Sequence, residues 1–157
     1  MTQAEERSAW RVASLGKRNL DLAIAHETWG ARRNYLVGRL RLGEKVVLYV
    51  SQGSEEEVGY WGVGEVTHEL FHSREEIWPS SLFPFRFGFV VPEPLLLEPV
   101  PKEVLFEHLP RRGNKRFEYG QPSSVMRLAP HELELIESLI DAQRQRLGAG
   151  LPPGVVG

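Results

Sequence analysis

Phe83-Pro84-Phe85-Arg86-Phe87-Gly88-Phe89-Val90-Val91 carries the strongest period in the chain. Phenylalanine recurs at every second position from Phe83 to Phe89, and Val91 continues the row. A period of two belongs to the β-strand, whose side chains point alternately to its two faces. The phenylalanine row is therefore expected to face a core, with Pro84, Arg86, Gly88 and Val90 on the opposite face. Proline cannot donate a ladder hydrogen bond, so Pro84 is expected near the strand's start or on an edge.

Working outward, Lys45 to Ser51 (KVVLYVS) reads as a buried strand and Tyr60 to Thr67 (YWGVGEVT) as its hairpin partner across the charged turn Gln52 to Glu57. Simple alternation puts Tyr60, Gly62, Gly64 and Val66 on one face, and Trp61, Val63 and Glu65 on the other. Glycine inside a strand weakens it unless a bulge, a close backbone or a ligand needs the room. Trp10 to Ser14 is a first strand. A short helix is expected next, with Asn19 as N-cap, Leu20, Ala23 and Ile24 on one face, and Trp29-Gly30 at its end. Val37, Leu40 and Arg41 suit a helical turn before Gly43. Pro92 to Pro101 is extended, Lys102 to Leu109 a short helix, Arg111 to Tyr119 a polar loop and Val125 to Leu128 a last short strand. The final helix has Pro130 at its first position, Glu132 and Glu134 near its positive end, and Arg144 and Arg146 near its negative end. Leu133, Ile136, Leu139 and Ile140 form its buried stripe, and Gly148 is its expected stop. Several strands with few, peripheral helices predict an α+β fold with a curved or barrel-like sheet. The expectation is one domain over residues 9–147, with flexible termini at 1–8 and 148–157.

The chain of 157 residues is 41% hydrophobic and 25% charged, the balance of a soluble globular protein. It shows no membrane span and no secretory signal. With no cysteine, disulfides and thiolate chemistry are excluded, and a cytoplasmic location is the simplest expectation. The net charge of -2 argues against a bulk nucleic-acid coat. Charge nevertheless acts over about 8 Å at physiological salt, so local basic patches still count. Arg32, Arg33, Arg39, Arg41 and Lys45 form one such stretch, and Arg111, Arg112, Lys115 and Arg116 another. Each is compatible with a solvated face; together they favour an anionic partner.

His68-Glu69-Leu70-Phe71-His72 spells the H-E-x-x-H signature of zinc proteases. That chemistry needs both histidines on one helical face with the glutamate as base. The preceding Gly-Val-Gly and β-branched residues argue for a strand end, so no metal and no cofactor is expected. Neither a Walker phosphate loop nor a G-x-S-x-G elbow occurs. The stronger constellation is aromatic. Trp29 precedes the basic stretch, and Trp78 sits in the loop-like Ile77-Trp78-Pro79-Ser80-Ser81. Each tryptophan alone fits a core as well as a ligand site. Together they are able to stack on a flat base, with Ser14, Asn34 and Ser51 as polar edges.

The segment Trp29-Gly30-Ala31-Arg32-Arg33-Asn34-Tyr35 resembles the W-x-G-x-R-N-Y signature of the EVE domain family, with one residue missing after the tryptophan. Leu42-Gly43-Glu44, the strand ending Tyr49-Val50-Ser51, the glycine-rich Gly59 to Val66 and Trp78-Pro79 before Phe83 to Phe87 follow in the same order. Ser124 to Ile140 matches the family's ending. YTH domains look similar across Val12 to Trp29 and at Trp78. The sequence departs at Leu36-Val37-Gly38-Arg39, where EVE proteins continue Gln-Ala-Arg-Asn. The resemblance implies a PUA-like pseudo-barrel with a mostly antiparallel sheet, and a non-enzymatic reader of a modified base in DNA or RNA. It makes Trp29 and Trp78 cage walls and places Gly30, Arg33 and Asn34 at the pocket with Ser14 and Ser51. Arg32, Arg39, Arg111, Arg112, Lys115 and Arg116 are then the expected phosphate contacts. The alternatives are a small nucleoside-directed or zinc hydrolase, and a protein or small-molecule interaction domain.

Overall fold

Lys45 to Val50 is apolar without alternation after its first residue, the pattern of a strand covered on both faces. A computed structural model, describing residues 8–32, 37–79, 81–108 and 125–149, shows that cover. The elements are β1 (Ala9–Ser14), α1 (Lys17–His26), β2 (Thr28–Ala31), a 3-10 turn (Val37–Arg39), β3 (Lys45–Val50), β4 (Gly59–His72), β5 (Phe85–Val90), α2 (Lys102–His108), β6 (Val125–Leu128) and α3 (Pro130–Ala149). Among the described residues the strands form one sheet in the order β2-β5-β4-β3-β1-β6. β1 and β3 are parallel, and the other pairs are antiparallel. A parallel pair needs a crossover, and the chain from α1 through the 3-10 turn provides it. The expected α+β class and mostly antiparallel sheet are the ones observed.

Two cores flank the sheet. Val46, Leu48 and Val50 pack with Trp10, Phe87, Phe89 and the Leu20–Ala23 face of α1. Val47 and Tyr49 pack on the other side with Tyr60, Leu105 of α2, and Ile136 and Ile140 of α3. Phe87 and Phe89 are fully buried, as their period predicted. Phe85 is only half-buried and meets the His72 ring edge-on at 5.3 Å. Pro84 immediately precedes β5, where the missing donor is harmless. On the other face of β5, Arg86 is buried as well.

Simple alternation fails in β4. Leu48 pairs with Gly62, but Tyr49 pairs with Tyr60, so Trp61 is the extra residue of a bulge. The bulge shifts the phase. Tyr60 joins the second core, while Trp61 and Val66 join the first. A Cβ at Gly64 would fall 2.9 Å from the Phe89 ring and 3.0 Å from the Val90 carbonyl oxygen. Close approach of β5 explains that glycine without a ligand.

Three helix boundaries also move. α1 starts at Lys17 with Gly16, not Asn19, as N-cap. It ends before Trp29-Gly30, because Glu27 takes a left-handed C-cap conformation at φ 51° and Thr28 opens β2. α3 runs through Gly148 to Ala149. Its start is as expected at Pro130, and Glu132 accepts the Ala129 N–H at 2.8 Å, half of a capping box. Glu44 is a second structural carboxylate. It accepts N–H groups from Ser8 (3.0 Å), the Trp10 indole (2.9 Å) and Arg41 (2.9 Å), tying β1 to the turn before β3.

Candidate nucleobase site

Trp29 lies on the edge strand β2, opposite Phe87, and meets Phe89 edge-on at 5.9 Å. Trp78 lies in the segment between β4 and β5. Its ring meets Phe83 edge-on at 5.5 Å, and its indole N–H donates to the Asn19 carbonyl on α1 at 3.1 Å. Gly30 sits beneath it. An ideal Cβ there would lie 2.7 Å from Trp78 Cζ3 and 2.7 Å from Phe83 Cβ, so glycine lets the indole rest on the backbone of β2.

Both tryptophans line one cavity, together with Ser14, Asn19, Gly30 and Phe83. It holds about 20 Å³, room for about one water molecule. Trp29 is 4% and Trp78 is 6% exposed, so the walls are in contact with their surroundings rather than parted. The cavity as it stands is smaller than a nucleobase. Ser14 sits at the end of β1, where its hydroxyl donates to the Gly16 carbonyl at 2.7 Å. Ser51 stands one layer back, donating to the Ser14 carbonyl at 3.1 Å.

The segment carrying Trp78 is held by Arg86. This guanidinium donates to the carbonyls of Phe83 (3.1 Å), Leu82 (3.1 Å) and Glu75 and to the Ser73 hydroxyl (3.1 Å), and lies 5.2 Å from the centre of the Trp78 ring. Burial lowers the Arg86 pKa, and the Glu75 carboxylate opposes that shift. Phe83 has a positive φ of 48°, a conformation that costs a non-glycine residue about 1–2 kcal/mol. Its carbonyl is one of the four acceptors, so the arginine helps to hold the strained residue. Nothing in the alternating pattern marked Arg86, because a charged residue between phenylalanines reads as outward-facing.

No family model matches the sequence. No curated protein matches it either. Solved structures match over most of the chain. A hypothetical protein from Leishmania major superposes with a TM-score of 0.66 at 20% identity, covering 90% of this chain and 99% of its own. The YTH domain of Zygosaccharomyces rouxii MRB1 protein, in complex with N6-methyladenosine RNA, gives 0.62 at 16% identity, covering 87% and 88%. Human THYN1, in complex with 5-methylcytosine-containing DNA, gives 0.57 at 16% identity, covering 85% and 98%. The chain has the PUA-like fold of the EVE and YTH domains.

Within this EVE/YTH fold, the structure brings Ser14, Trp29, Gly30 and Trp78 to one cavity, with Ser51 behind it. Arg32 is exposed beside it, its guanidinium 5.8 Å from the centre of the Phe83 ring. Arg39 is exposed at the end of the 3-10 turn. Arg33, Asn34, Arg111, Arg112, Lys115 and Arg116 lie outside the described residues. The H-E-x-x-H residues His68 to His72 form the exposed end of β4, not a helix. Four strand residues advance about 13 Å, so the two histidines do not converge as on a helical face. Among the described residues no group of three or more His, Asp or Glu is placed to hold a metal. No helix among them is long and apolar enough to cross a membrane. A wider depression of about 410 Å³ lies between β3, β4 and α3. Its walls carry both signs of charge, including the Lys45–Glu137 ion pair at 2.7 Å, and no aromatic face for a base.

Proposed function

We propose that this chain is a non-enzymatic module that binds a modified nucleobase, in DNA or RNA, between Trp29 and Trp78. The observation that carries the proposal is that these two indoles, from a strand and a distant loop, line the same cavity. Stacking on an aromatic wall contributes about 1–3 kcal/mol per base, and a second wall excludes water from the other side. Stacking tolerates any base, so discrimination falls to polar edges, for which Ser14, Asn34 and Ser51 are the candidates. Gly30 keeps the floor low, and Arg33 is assigned to the rim. Arg32, Arg39, Arg111, Arg112, Lys115 and Arg116 are assigned to phosphates, which position a strand without reading it. Two proteins of the same fold, human THYN1 and the yeast YTH domain, are bound to methylated DNA and methylated RNA. The setting we assign is the cytoplasm, with no membrane or cofactor involved.

The test is equilibrium binding of short single- and double-stranded oligonucleotides carrying 5-methylcytosine, 5-hydroxymethylcytosine or N6-methyladenine against unmodified controls. At least tenfold preference for one modified base is expected, lost in Trp29→Ala and in Trp78→Ala. Equal affinity for all oligonucleotides contradicts the proposal. One observation favours a second reading, an interaction domain whose tryptophans are only core: the cavity is closed to about one water. Under that reading, both substitutions lower stability and change no nucleic-acid preference.

A further inference from the structure

We propose that Arg86 is the positioning residue of this site, setting the place of the Trp78 wall without touching the base; this rests on the base-binding reading above. Arg86 pairs in register with Gly30 on β2 and with Phe71 on β4, so it stands in the row that crosses the floor under Trp78. It is 1% exposed, and solvent does not compete for its guanidinium. The four acceptors named above all belong to the segment that carries Trp78. Ser73 and Glu75 lie at the beginning, and Leu82 and Phe83 at the end. Among its described residues the segment forms neither strand nor helix between His72 and Phe85, so these bonds, alongside the Ser73 N–H donating to the Pro84 carbonyl at 3.0 Å, hold its two ends. The guanidinium also approaches the Trp78 ring at 5.2 Å. A planar fork with five N–H groups spans two ends of a loop at once, whereas an ammonium is a point donor. The clamp therefore uses a property that lysine does not have.

The experiment compares the full-length wild type with Arg86→Lys, which keeps the charge and loses the fork. Two quantities are read. One is the hydrogen exchange of the Trp78 indole N–H and of the Glu75 and Ile77 amides, with the Trp61 indole as internal reference. The other is the affinity ratio for modified over unmodified oligonucleotide. Arg86→Lys is expected to raise Trp78 exchange at least tenfold relative to Trp61 and to reduce the affinity ratio at least tenfold. Unchanged exchange, or raised exchange with an unchanged ratio, overturns the proposal. If circular dichroism shows Arg86→Lys unfolded, Ser73→Ala removes a single acceptor. A threefold or greater rise in Trp78 exchange with a reduced ratio then supports the proposal, and no change in either overturns it. A wild type without any preference sinks the base-binding reading itself. The exchange data then still report whether Arg86 clamps the segment, so the two failures are distinguishable.

Discussion

Gly30 and Glu44 are single residues whose roles are set by contacts across the fold. A methyl group at Gly30 meets Trp78 Cζ3, Phe83 Cβ and the Phe83 carbonyl oxygen at 2.7–2.8 Å. Two of these atoms belong to the strained Phe83, one of them backbone, and the third to the buried Trp78 indole, so little gives way. Gly30→Ala is expected to cost about 1–3 kcal/mol, the range for overpacking, seen as a lower urea midpoint. Glu44→Ala strips the acceptor from three N–H groups, two of them on one oxygen. A loss of about 3 kcal/mol is expected by urea unfolding, with a smaller loss in Glu44→Gln, which keeps one carbonyl oxygen. The two tryptophans that line the cavity stood out in the sequence, Trp78 because it lies in a loop-like segment and Trp29 because a basic stretch follows it. Arg86 and Glu44 did not, because their partners are mainly backbone groups, which carry no residue signature.

The strands were legible as elements, and their phase was not. Alternation in Phe83 to Val91 and the apolar run of β3 located two strands, since side-chain period is a local property. The bulge at Trp61 is set by how β4 pairs with β3, a relation between two segments that neither records alone. The same pairing logic decides His68 to His72. The motif's spelling fits a helix, but continued pairing with β5 keeps it extended. The two interior glycines of β4 separate cleanly at this scale. At Gly64 a Cβ meets the Phe89 ring and the Val90 carbonyl, both held in β5. At Gly62 it meets only the end of the Leu95 side chain, at 3.1 Å. Gly64→Ala is therefore expected to lower the thermal midpoint by several degrees more than Gly62→Ala, about the effect of 1 kcal/mol in a domain of this size. Equal losses at the two positions would show that β5 yields as easily as a side chain does.

Across the whole molecule, the two cores have different chemistry. The first holds the tryptophans and phenylalanines, and the second holds Tyr49 and Tyr60 under α2 and α3. Burial pushes both phenols above their ordinary value of 10.0, while Arg11 pulls each part of the way back. The folded state thus keeps these protons to higher pH than the unfolded chain. Their contribution is fully present below pH 10 and is lost as pH rises through and beyond it, where only the unfolded chain ionises. The urea midpoint is expected to fall as pH rises above about 10, and Tyr60→Phe to flatten that fall. An equally steep decline in the variant would place the alkaline sensitivity elsewhere. The molecule's net charge of -2 argues only against a bulk nucleic-acid coat, and the claim of base recognition rests on one cavity between two walls. The four indole N–H groups, from Trp10, Trp29, Trp61 and Trp78, report on that cavity directly. In a nuclear magnetic resonance titration with the best-bound modified oligonucleotide, the account predicts large shifts of the Trp29 and Trp78 indole signals. Those of Trp10 and Trp61 stay in place, and the unmodified oligonucleotide leaves all four unmoved. Binding that leaves Trp29 and Trp78 unshifted, or that shifts them equally with the unmodified control, contradicts it.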